Sequence, residues 1–434
     1  MPRLCRVGPI RRDKFHVSGS APRTGEGVDY SRENAEPSRK VLPVIEEGEA
    51  RRQILKSIQA LPARRVPILQ ALNGFAAEDC LARLPLPNFD NSAMDGYAVV
   101  ASSRRTGERM RVIGEQPAGM DRGIRISPGE AARIFTGAPM PAGADAVVMQ
   151  EDVTRHGDEI VLNVDVDTGE FIRKRGCDLS EGQKILSKGE RIRATTLALL
   201  ASQGSSEVRI GGEVDAAIIS TGDELVKPGT TIKPGQIYES NSVLLQALLQ
   251  RCNATVRSVE NCPDDQRSLT EVLKRGIRYH VLIISGGVSV GEHDIVKSTL
   301  LSLGAKIDLW RVAIRPGKPF LFGRAGRCAI FGLPGNPVSA FVTFLQFVRP
   351  AILKMMGATY LDLPAVAAGL IADMTNDSDR PHYIRGKLED GKFAPVGRQE
   401  SHALFGLSQS NALLRIAVGD SFKAGEIVNV QTWD

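Results

Sequence analysis

The sequence predicts a multidomain α/β protein, with a mainly parallel sheet in its largest domain, a β-rich domain, a helical linking domain and a C-terminal β-domain. Two observations predict this fold class. Apolar β-type runs alternate with helical patterns over residues 214–360, and β-type runs broken by Gly and Pro turns flank that segment on both sides. The 434 residues are typical of two to four domains, and 42% hydrophobic residues can supply a core for each.

Residues 1–40 form a basic segment that we expect to be disordered. They are rich in Arg, Pro, Gly and Ser, have no apolar period and carry a net charge of +4 out of the chain's +5. The nearly neutral remainder offers no broad basic face, so we expect no nucleic-acid partner.

Neither a membrane span nor a zinc or disulfide framework is predicted. The longest apolar runs, such as 281–290, are shorter than the roughly 18–20 residues that cross a bilayer. Six cysteines are scattered without a C-x-x-C pair. We therefore expect a cytoplasmic protein with reduced thiols and no membrane partner.

The linking domain is predicted from two separate segments, 43–80 and 183–213. A helical pattern runs over 44–73, and the stretch TTLALLASQG (195–204) predicts a second helix that packs against the first. Between them, residues 81–182 hold β-type runs such as YAVVA (97–101) and EIVLNVDV (159–166), which predict the β-rich domain.

Residues 214–360 supply the α/β domain. Its predicted strands are VDAAIIS (214–220), ATVRSVE (254–260), VLIIS (281–285) and CAIFGL (328–333). Helices are predicted at about 241–251, 265–278 and 295–303, with Asp264 expected to cap the second. Residues 361–434 return to short strands and predict the C-terminal β-domain.

Three strands of the α/β domain end in loops that suit a phosphate: TGDELV (221–226), GGVSVGEHD (286–294) and LPGNPVSA (333–340). Ligands bind at the carboxyl ends of strands in such sheets, and small residues let a phosphate approach the backbone. In the third loop we expect Asn336 to cap a helix that begins at Pro337. The expected ligand-binding residues of these loops are Gly222, Gly286, Gly287, Gly335, Asn336 and Pro337.

Carboxylates and cations accompany these loops. Asp223, Glu224 and Asp294 can hold Mg²⁺ together with a substrate phosphate, although Asp223, like Asp264, could simply cap a turn or helix. Arg315 and Lys318, in RPGKPF, either neutralise an oxyanion or form a solvated hairpin tip.

In the β-rich domain, NFDNSAMDGYAV (88–99) and FTGAPMPAGADAVV (135–148) make Asp95 and Thr136 the groups most able to reach a ligand. By their chemistry alone, both residues are better explained as turn residues of a β-domain.

Taken together, six motifs resemble the molybdopterin molybdenumtransferase (MoeA) family, which includes the gephyrin E domain. They are NSAMDGYAV, FTGAPMPAGADAVV, STGDELV with GQIYESN, ISGGVSVGEHD, RPGKPFLFG and GLPGNPVSAF, in the family's order, and the similarity covers residues 43–434. The resemblance implies that residues 214–360 bind molybdopterin. It also implies a homodimer in which the β-rich domain of one subunit completes the site of the other.

The activity implied is insertion of molybdate into adenylylated molybdopterin, with Mg²⁺-dependent cleavage of the adenylate to AMP. By resemblance, Asp95 and Thr136 face the site with Arg173 and Asp178 nearby, while Arg315, Lys318, Arg385 and Ser401 hold molybdate. The resemblance also implies that Glu224 and Asp294 serve the metal and the pterin phosphate. Ser289 would belong to the phosphate loop, and Pro334 and Pro337 would shape the helix start. A molybdopterin adenylyltransferase and molybdoenzyme acceptors are the implied partners.

Three positions depart from the family pattern. Arg315 stands where lysine is frequent, Glu400 where glycine is common, and Cys177 where an acidic or polar residue is more usual. Glu400 places a carboxylate beside Ser401 and would weaken an oxyanion pocket.

Two other function classes stay open from the sequence. One is a non-catalytic, receptor-binding scaffold of the gephyrin E-domain type. The other is molybdopterin adenylyltransferase, which the α/β domain alone resembles but which leaves the two β-domains without a role.

Overall fold

The N-terminal part of the fold is helical only at its start. A computed structural model describes residues 44–101, 105–287 and 295–433, all within one compact unit. The first elements are β1 (Ile45–Glu46), α1 (Glu47–Ser57), β2 (Arg64–Pro67), a 3₁₀ turn (Ile68–Ala71) and β3 (Cys80–Leu81). The helix predicted over 44–73 is therefore wrong beyond residue 57. Pro62 and Pro67 cannot donate a helical hydrogen bond and favour extended backbone before them.

The β-rich region is built around a six-stranded sheet in the order β8-β5-β7-β6-β10-β9, antiparallel except for the β6–β7 pair. Buried side chains such as Tyr97, Val99 and Ile160 form its core. Its strands are β4 (Asn91–Ser92), β5 (Gly96–Val99), β6 (Arg109–Gln116), β7 (Glu130–Ile134), β8 (Ala146–Met149), β9 (Val153–His156), β10 (Glu159–Leu162) and β11 (Ile172–Arg173).

The chain then forms β12 (Lys184–Leu186), α2 (Ala194–Ser202) and β13 (Glu207–Ile210). The second helix, α2, does not pack against α1 as predicted. Leu197 and Leu200 of α2 join a cluster with Val66 of β2, whereas Ile54 of α1 belongs to the core of the α/β region. The two helices therefore serve different cores.

The α/β region confirms the predicted fold class. Its seven-stranded sheet has the order β1-β19-β20-β21-β18-β14-β17, in which only β20 runs antiparallel to its neighbours. Its elements are β14 (Asp215–Thr221), β15 (Leu225–Val226), β16 (Ile237–Tyr238), α3 (Asn241–Arg251), β17 (Thr255–Cys262), α4 (Gln266–Gly276), β18 (Val281–Ser285), α5 (Ile295–Ser302), β19 (Lys306–Ala313), β20 (Pro319–Ala325) and β21 (Cys328–Leu333).

Helices cover both faces of this sheet because its central strands are apolar on both sides. Ile218 and Ile283 face a cluster that includes Leu245 of α3. The alternate residues Ile219 and Leu282 face the cluster of α4 and α5. Continuous apolar runs of this kind are typical of strands buried on both faces.

One helical segment is longer than the apolar runs singled out in the sequence. It comprises α6 (Pro337–Thr343), a π-helical turn (Phe344–Val348) and α7 (Arg349–Met355). Its 19 residues are long and apolar enough to cross a membrane by length and composition, but 89% of its most apolar 18-residue window, of mean hydropathy 1.3, is buried inside the protein. Most of its residues belong to the largest of the hydrophobic core clusters.

The C-terminal region forms a closed barrel of strands β22-β25-β24-β26-β28. Its elements are β22 (Ala365–Leu370), β23 (Met374–Thr375), β24 (His382–Glu389), β25 (Lys392–Pro395), α8 (Leu404–Ser408), β26 (Ala412–Ile416), β27 (Ser421–Phe422) and β28 (Ile427–Thr432).

A buried polar network ties helix α1 to this barrel. Tyr383 donates its phenolic hydrogen to Glu47, and the Nε of Arg415 donates to the other carboxylate oxygen at 3.0 Å. Glu47 is only 7% exposed, so these two donors take the place of water around its carboxylate. The network fixes strand β24, which borders the candidate site described next.

Candidate active site

The register of the parallel strands brings the predicted loops to one edge of the sheet. Ser220 pairs with Ser285, and Ser285 pairs with Leu333, so β14, β18 and β21 end level with one another. The loops that follow them therefore open side by side at the carboxyl edge, where ligands bind in folds of this kind.

The first cavity at this edge has a volume of about 650 Å³, within the usual range for a small-molecule site. Of the predicted ligand-binding residues it is lined by Gly222, Gly286, Gly287, Pro334, Gly335, Asn336 and Pro337, and also by Glu224 and Asp264. Gly286 has φ +88°, and a Cβ there would lie 2.5 Å from the backbone oxygen of Thr221. Only glycine fits this turn. Ser289 and Asp294 lie outside the described residues.

Asn336 occupies the N-cap position of α6, as predicted, but its side chain makes no capping hydrogen bond. Pro337 does occupy the first turn of α6, but the Asn336 side chain donates instead to the hydroxyl of Ser401 at 2.8 Å. The backbone N–H of Val338 also donates to the Ser401 carbonyl. Ser401 is thus held against the helix start by two hydrogen bonds from a different part of the chain.

Asn241, which the sequence did not single out as a site residue, reaches the same cavity from the start of α3. Its Nδ2 donates to the Ser285 hydroxyl at 2.9 Å and to the Gly335 carbonyl at 2.7 Å. The amide orientation is therefore fixed, and its Oδ1 is a buried acceptor without a partner among the described residues. The buried hydroxyl of Thr221, which also lines the cavity, likewise has no hydrogen-bond partner among the described residues. A ligand donor would satisfy Asn241.

GQIYESN was the available signal for Asn241, since the motif ends on this residue. The motif alone gave it no role, because its two anchoring partners lie 44 and 94 positions further along the chain.

Acidic side chains gather at one side of the cavity. Burial, together with the carboxylates of Asp223 and Glu224, raises the pKa of Asp264. Asp223 itself accepts from the Asp264 backbone N–H at 3.1 Å and does not line the cavity. The predicted cap at Asp264 is wrong by one residue, because Asp265 accepts from the N–H of Ser268 and caps α4.

Glu224 and Asp264 can supply part of the coordination shell of a cation. The pKa of Asp264 is raised first by burial and then by the neighbouring carboxylates, and a Mg²⁺ ion would oppose the second of these effects. Among the described residues, however, no three His, Cys, Asp or Glu side chains form a metal cage. Mg²⁺ usually takes one or two carboxylates and completes its shell with phosphate and water, so Glu224 and Asp264 are sufficient protein ligands.

A second cavity of about 460 Å³ adjoins the first and shares Pro319, Pro334, Asn336 and His402 with it. Its distinctive lining residues are cationic or polar: Arg315, Lys318, Arg380, Ser401 and also Glu400. This arrangement can bind an anion beside the first cavity.

The barrel positions the loop that carries Arg315. The Arg315 N–H donates to the Pro381 carbonyl at 2.9 Å, and the Tyr383 N–H donates to the Arg315 carbonyl at 2.7 Å. The loop is therefore paired with strand β24 and is not a free hairpin tip. Burial and the nearby guanidinium groups of Arg315, Arg385 and Arg380 lower the pKa of His382 to about 4. The local potential is strongly positive.

Arg385 lies behind this cavity and does not line it. The residue is 1% exposed, and its Nε and Nη2 have no hydrogen-bond partner among the described residues. Burial lowers its pKa, and the carboxylate of Glu400 opposes that shift. Arg385 can therefore contribute charge to the second cavity without lining its surface.

Asp95 and Thr136 lie together, but on the β-rich region and outside both cavities. One oxygen of Asp95 accepts from the N–H and the hydroxyl of Thr136 at 2.7 and 2.9 Å, which lowers the pKa of Asp95. Arg173 and Asp178 are exposed on the same region. None of these four residues lines either cavity.

Family models match three consecutive parts of the chain. They describe the MoeA N-terminal region, domains I and II (residues 45–204), a probable molybdopterin binding domain (217–354) and the MoeA C-terminal region, domain IV (367–433).

Similar proteins span nearly the whole chain. The molybdopterin molybdenumtransferase of Haemophilus influenzae is 35% identical over 84% of this chain and 92% of its own length. Molybdopterin molybdenumtransferase 2 of Mycobacterium tuberculosis is 35% identical over 89% and 98%. Among solved structures, the molybdopterin biosynthesis MoeA protein of Pyrococcus horikoshii OT3 superposes with a TM-score of 0.77 at 29% identity, covering 90% of this chain and all of that one.

Proposed function

Because the chain belongs to the molybdopterin molybdenumtransferase (MoeA) family, we propose that it is a transferase that inserts molybdenum during molybdenum cofactor biosynthesis. More specifically, we propose that molybdate is inserted into adenylylated molybdopterin and that the adenylate is cleaved to AMP with Mg²⁺.

The single observation that carries this proposal is the pairing of two unlike cavities at one sheet edge. The larger has an acidic side and glycine loops, the smaller is cationic, and both are lined by Pro334 and Asn336. A pterin nucleotide needs volume, backbone amides and a metal, whereas molybdate is a dianion that needs cations. Adjacent cavities bring the two substrates into contact.

Each group has a role that follows from its position. Arg315 and Lys318 bind the oxyanion, and Ser401, fixed by Asn336, offers a hydroxyl to it. Asn241 accepts a hydrogen bond from the pterin nucleotide through its free Oδ1. Glu224 and Asp264, with Asp294, would hold Mg²⁺, and a bound ion would supply positive charge to the phosphate oxygens.

We further propose that the active form is a homodimer. Asp95 and Thr136 are exposed, hydrogen-bonded to each other and remain outside the cavities of their own chain. A second copy would bring this pair to the site, which supports the subunit-sharing that the family resemblance implies.

Lys318→Gln tests the proposed molybdate site. We expect Lys318→Gln to weaken molybdate binding at least tenfold and to slow insertion, because one charge on a dianion is lost. Lys392→Gln is the matched control, since Lys392 is exposed on the barrel and outside both cavities. The readout is calorimetric titration with molybdate and reconstitution of a cofactor-free molybdoenzyme. Equal behaviour of the two variants would refute the assignment.

The parent chain in this experiment tests the scaffold, and a parallel assay of ATP consumption tests the adenylyltransferase. A scaffold would bind the substrates without turnover in the parent chain. An adenylyltransferase would consume ATP with bare molybdopterin, independently of Lys318.

A further inference from the structure

His402 is the one ionisable residue, among those that the structure describes, that lines both cavities of the candidate active site. The other shared lining residues are Pro319, Pro334 and Asn336, whose side chains neither bind nor release a proton at neutral pH. No role was predicted for His402 from the sequence, and the proposed function does not use it.

The other ionisable side chains each belong to one cavity. Those of the first cavity are Glu224, Tyr238, Glu239 and Asp264, and those of the second are Arg315, Lys318, Arg380 and Glu400. A proton that passes between the two cavities along the described side chains therefore meets His402 at their boundary.

The backbone holds His402 at this boundary. The preceding Ser401 accepts from the Asn336 side chain at 2.8 Å and, through its carbonyl, from the Val338 N–H at 3.1 Å. On the other side, the Leu404 N–H donates to the His402 carbonyl at 2.8 Å. His402 itself is exposed. An anchored main chain with an accessible ring suits a group that exchanges protons with bound substrates.

The proposed insertion requires proton transfer between the two substrates. Molybdopterin presents two thiols, so two Mo–S bonds form and one Mo–O bond of molybdate breaks. The two thiol protons leave with the released oxygen as water, and the oxidation state of molybdenum does not change. With the pterin in the first cavity and molybdate in the second, these protons cross the boundary at which His402 lies.

We propose that His402 is a catalytic residue of this reaction, which transfers protons from the substrate thiols to the departing oxygen of molybdate. The imidazole accepts a proton from one thiol and donates it to the oxygen, then repeats the transfer with the second thiol and ends in its starting state. Imidazole suits this task because it both accepts and donates a proton near neutral pH. This role rests on the proposed function, since it assigns one of its steps.

His402→Gln tests the role, and His156→Gln is the matched control because His156 is exposed on the β-rich region, outside both cavities. We expect His402→Gln to slow insertion at least tenfold in a single turnover, and His156→Gln to keep the parent rate. The readouts are the molybdenum content of the pterin product and activation of a cofactor-free molybdoenzyme. Molybdate affinity in calorimetry should stay close to the parent value, because Arg315 and Lys318 remain.

Two further variants separate proton transfer from charge. His402→Arg keeps a positive charge at the boundary but cannot release a proton, so it should insert molybdenum as slowly as His402→Gln. His402→Gly should also be slow and should regain rate when free imidazole is added, because the position is open to solvent. A merely structural role would not respond to imidazole.

Four results would overturn the role while leaving the proposed function intact. They are the parent rate in His402→Gln, the parent rate in His402→Arg, a loss of molybdate affinity in His402→Gln that accounts for its whole loss of rate, and no response of His402→Gly to imidazole. Absence of insertion by the parent chain would refute the proposed function itself, and the role of His402 with it.

Discussion

Acidification should destabilise the protein through His382, and a variant that cannot titrate at this position isolates the effect from the other titrating groups. Burial and three surrounding arginines lower the pKa of His382 from 6.5 to about 4. The unfolded chain therefore binds a proton below pH 6.5 that the fold excludes. The stability contributed by neutral His382 is fully present above pH 6.5 and is lost as the pH falls towards 4.

The magnitude follows from the size of the shift. Each pKa unit corresponds to about 1.4 kcal/mol, and partial solvent screening reduces the full value, so we expect a loss of about 2 kcal/mol by pH 4.5. For a folded unit of this size that is roughly 2–3 °C in Tm.

The assay compares thermal unfolding of the parent and His382→Phe between pH 7.5 and 4.5. The variant keeps a ring of similar size but cannot titrate, so its Tm should fall less than the parent's by the amount above. His156→Gln, which alters an exposed histidine, should follow the parent. If parent and His382→Phe lose stability in parallel, the arginines do not surround His382 as the structure has them.

Three other predictions concern single groups. Tyr383→Phe should destabilise the protein by about 1–3 kcal/mol in urea unfolding, because buried Glu47 loses a donor; an unchanged midpoint would contradict the network. Gly286→Ala should lower Tm and raise KM for the pterin substrate, whereas Gly304→Ala, with a similar positive φ but open space, should lower Tm only slightly. Equal effects would mean that the close approach at Gly286 is unimportant. Glu400→Gln should tighten molybdate binding a few-fold in calorimetry by removing a carboxylate from the cationic cavity, and weaker binding would assign Glu400 a positive role.

The sequence predicted best those elements whose signal is local. The buried runs at 281–285 and 328–333 coincide with strands β18 and β21, because continuous apolar β-branched stretches have few alternatives. Helix α3 at 241–251 was predicted to the residue. The segment 58–73 failed because its apolar spacing is helical while Pro62 and Pro67 exclude a continuous helix.

The loops of the site could be predicted from the sequence, but the side-chain contacts between them could not. The register of β14, β18 and β21 follows from a parallel sheet, so the gathering of Gly222, Gly286 and Gly335 could be anticipated. The hydrogen bond between Asn336 and Ser401 joins residues 65 positions apart, and no local pattern announces it.

Burial of an arginine is equally invisible in a sequence. Arg385 sits on a strand whose neighbours give no sign that the guanidinium is enclosed behind the cavity. Its role in holding molybdate, like the roles of Ser289 and Asp294, stays a prediction.

The central claim is tested most directly by AMP release from adenylylated molybdopterin with Mg²⁺, with and without molybdate, followed by activation of a cofactor-free molybdoenzyme. We predict that molybdate accelerates AMP release and that the product activates the acceptor enzyme. Tight binding of both substrates without AMP release or activation would contradict the claim and favour a non-catalytic scaffold.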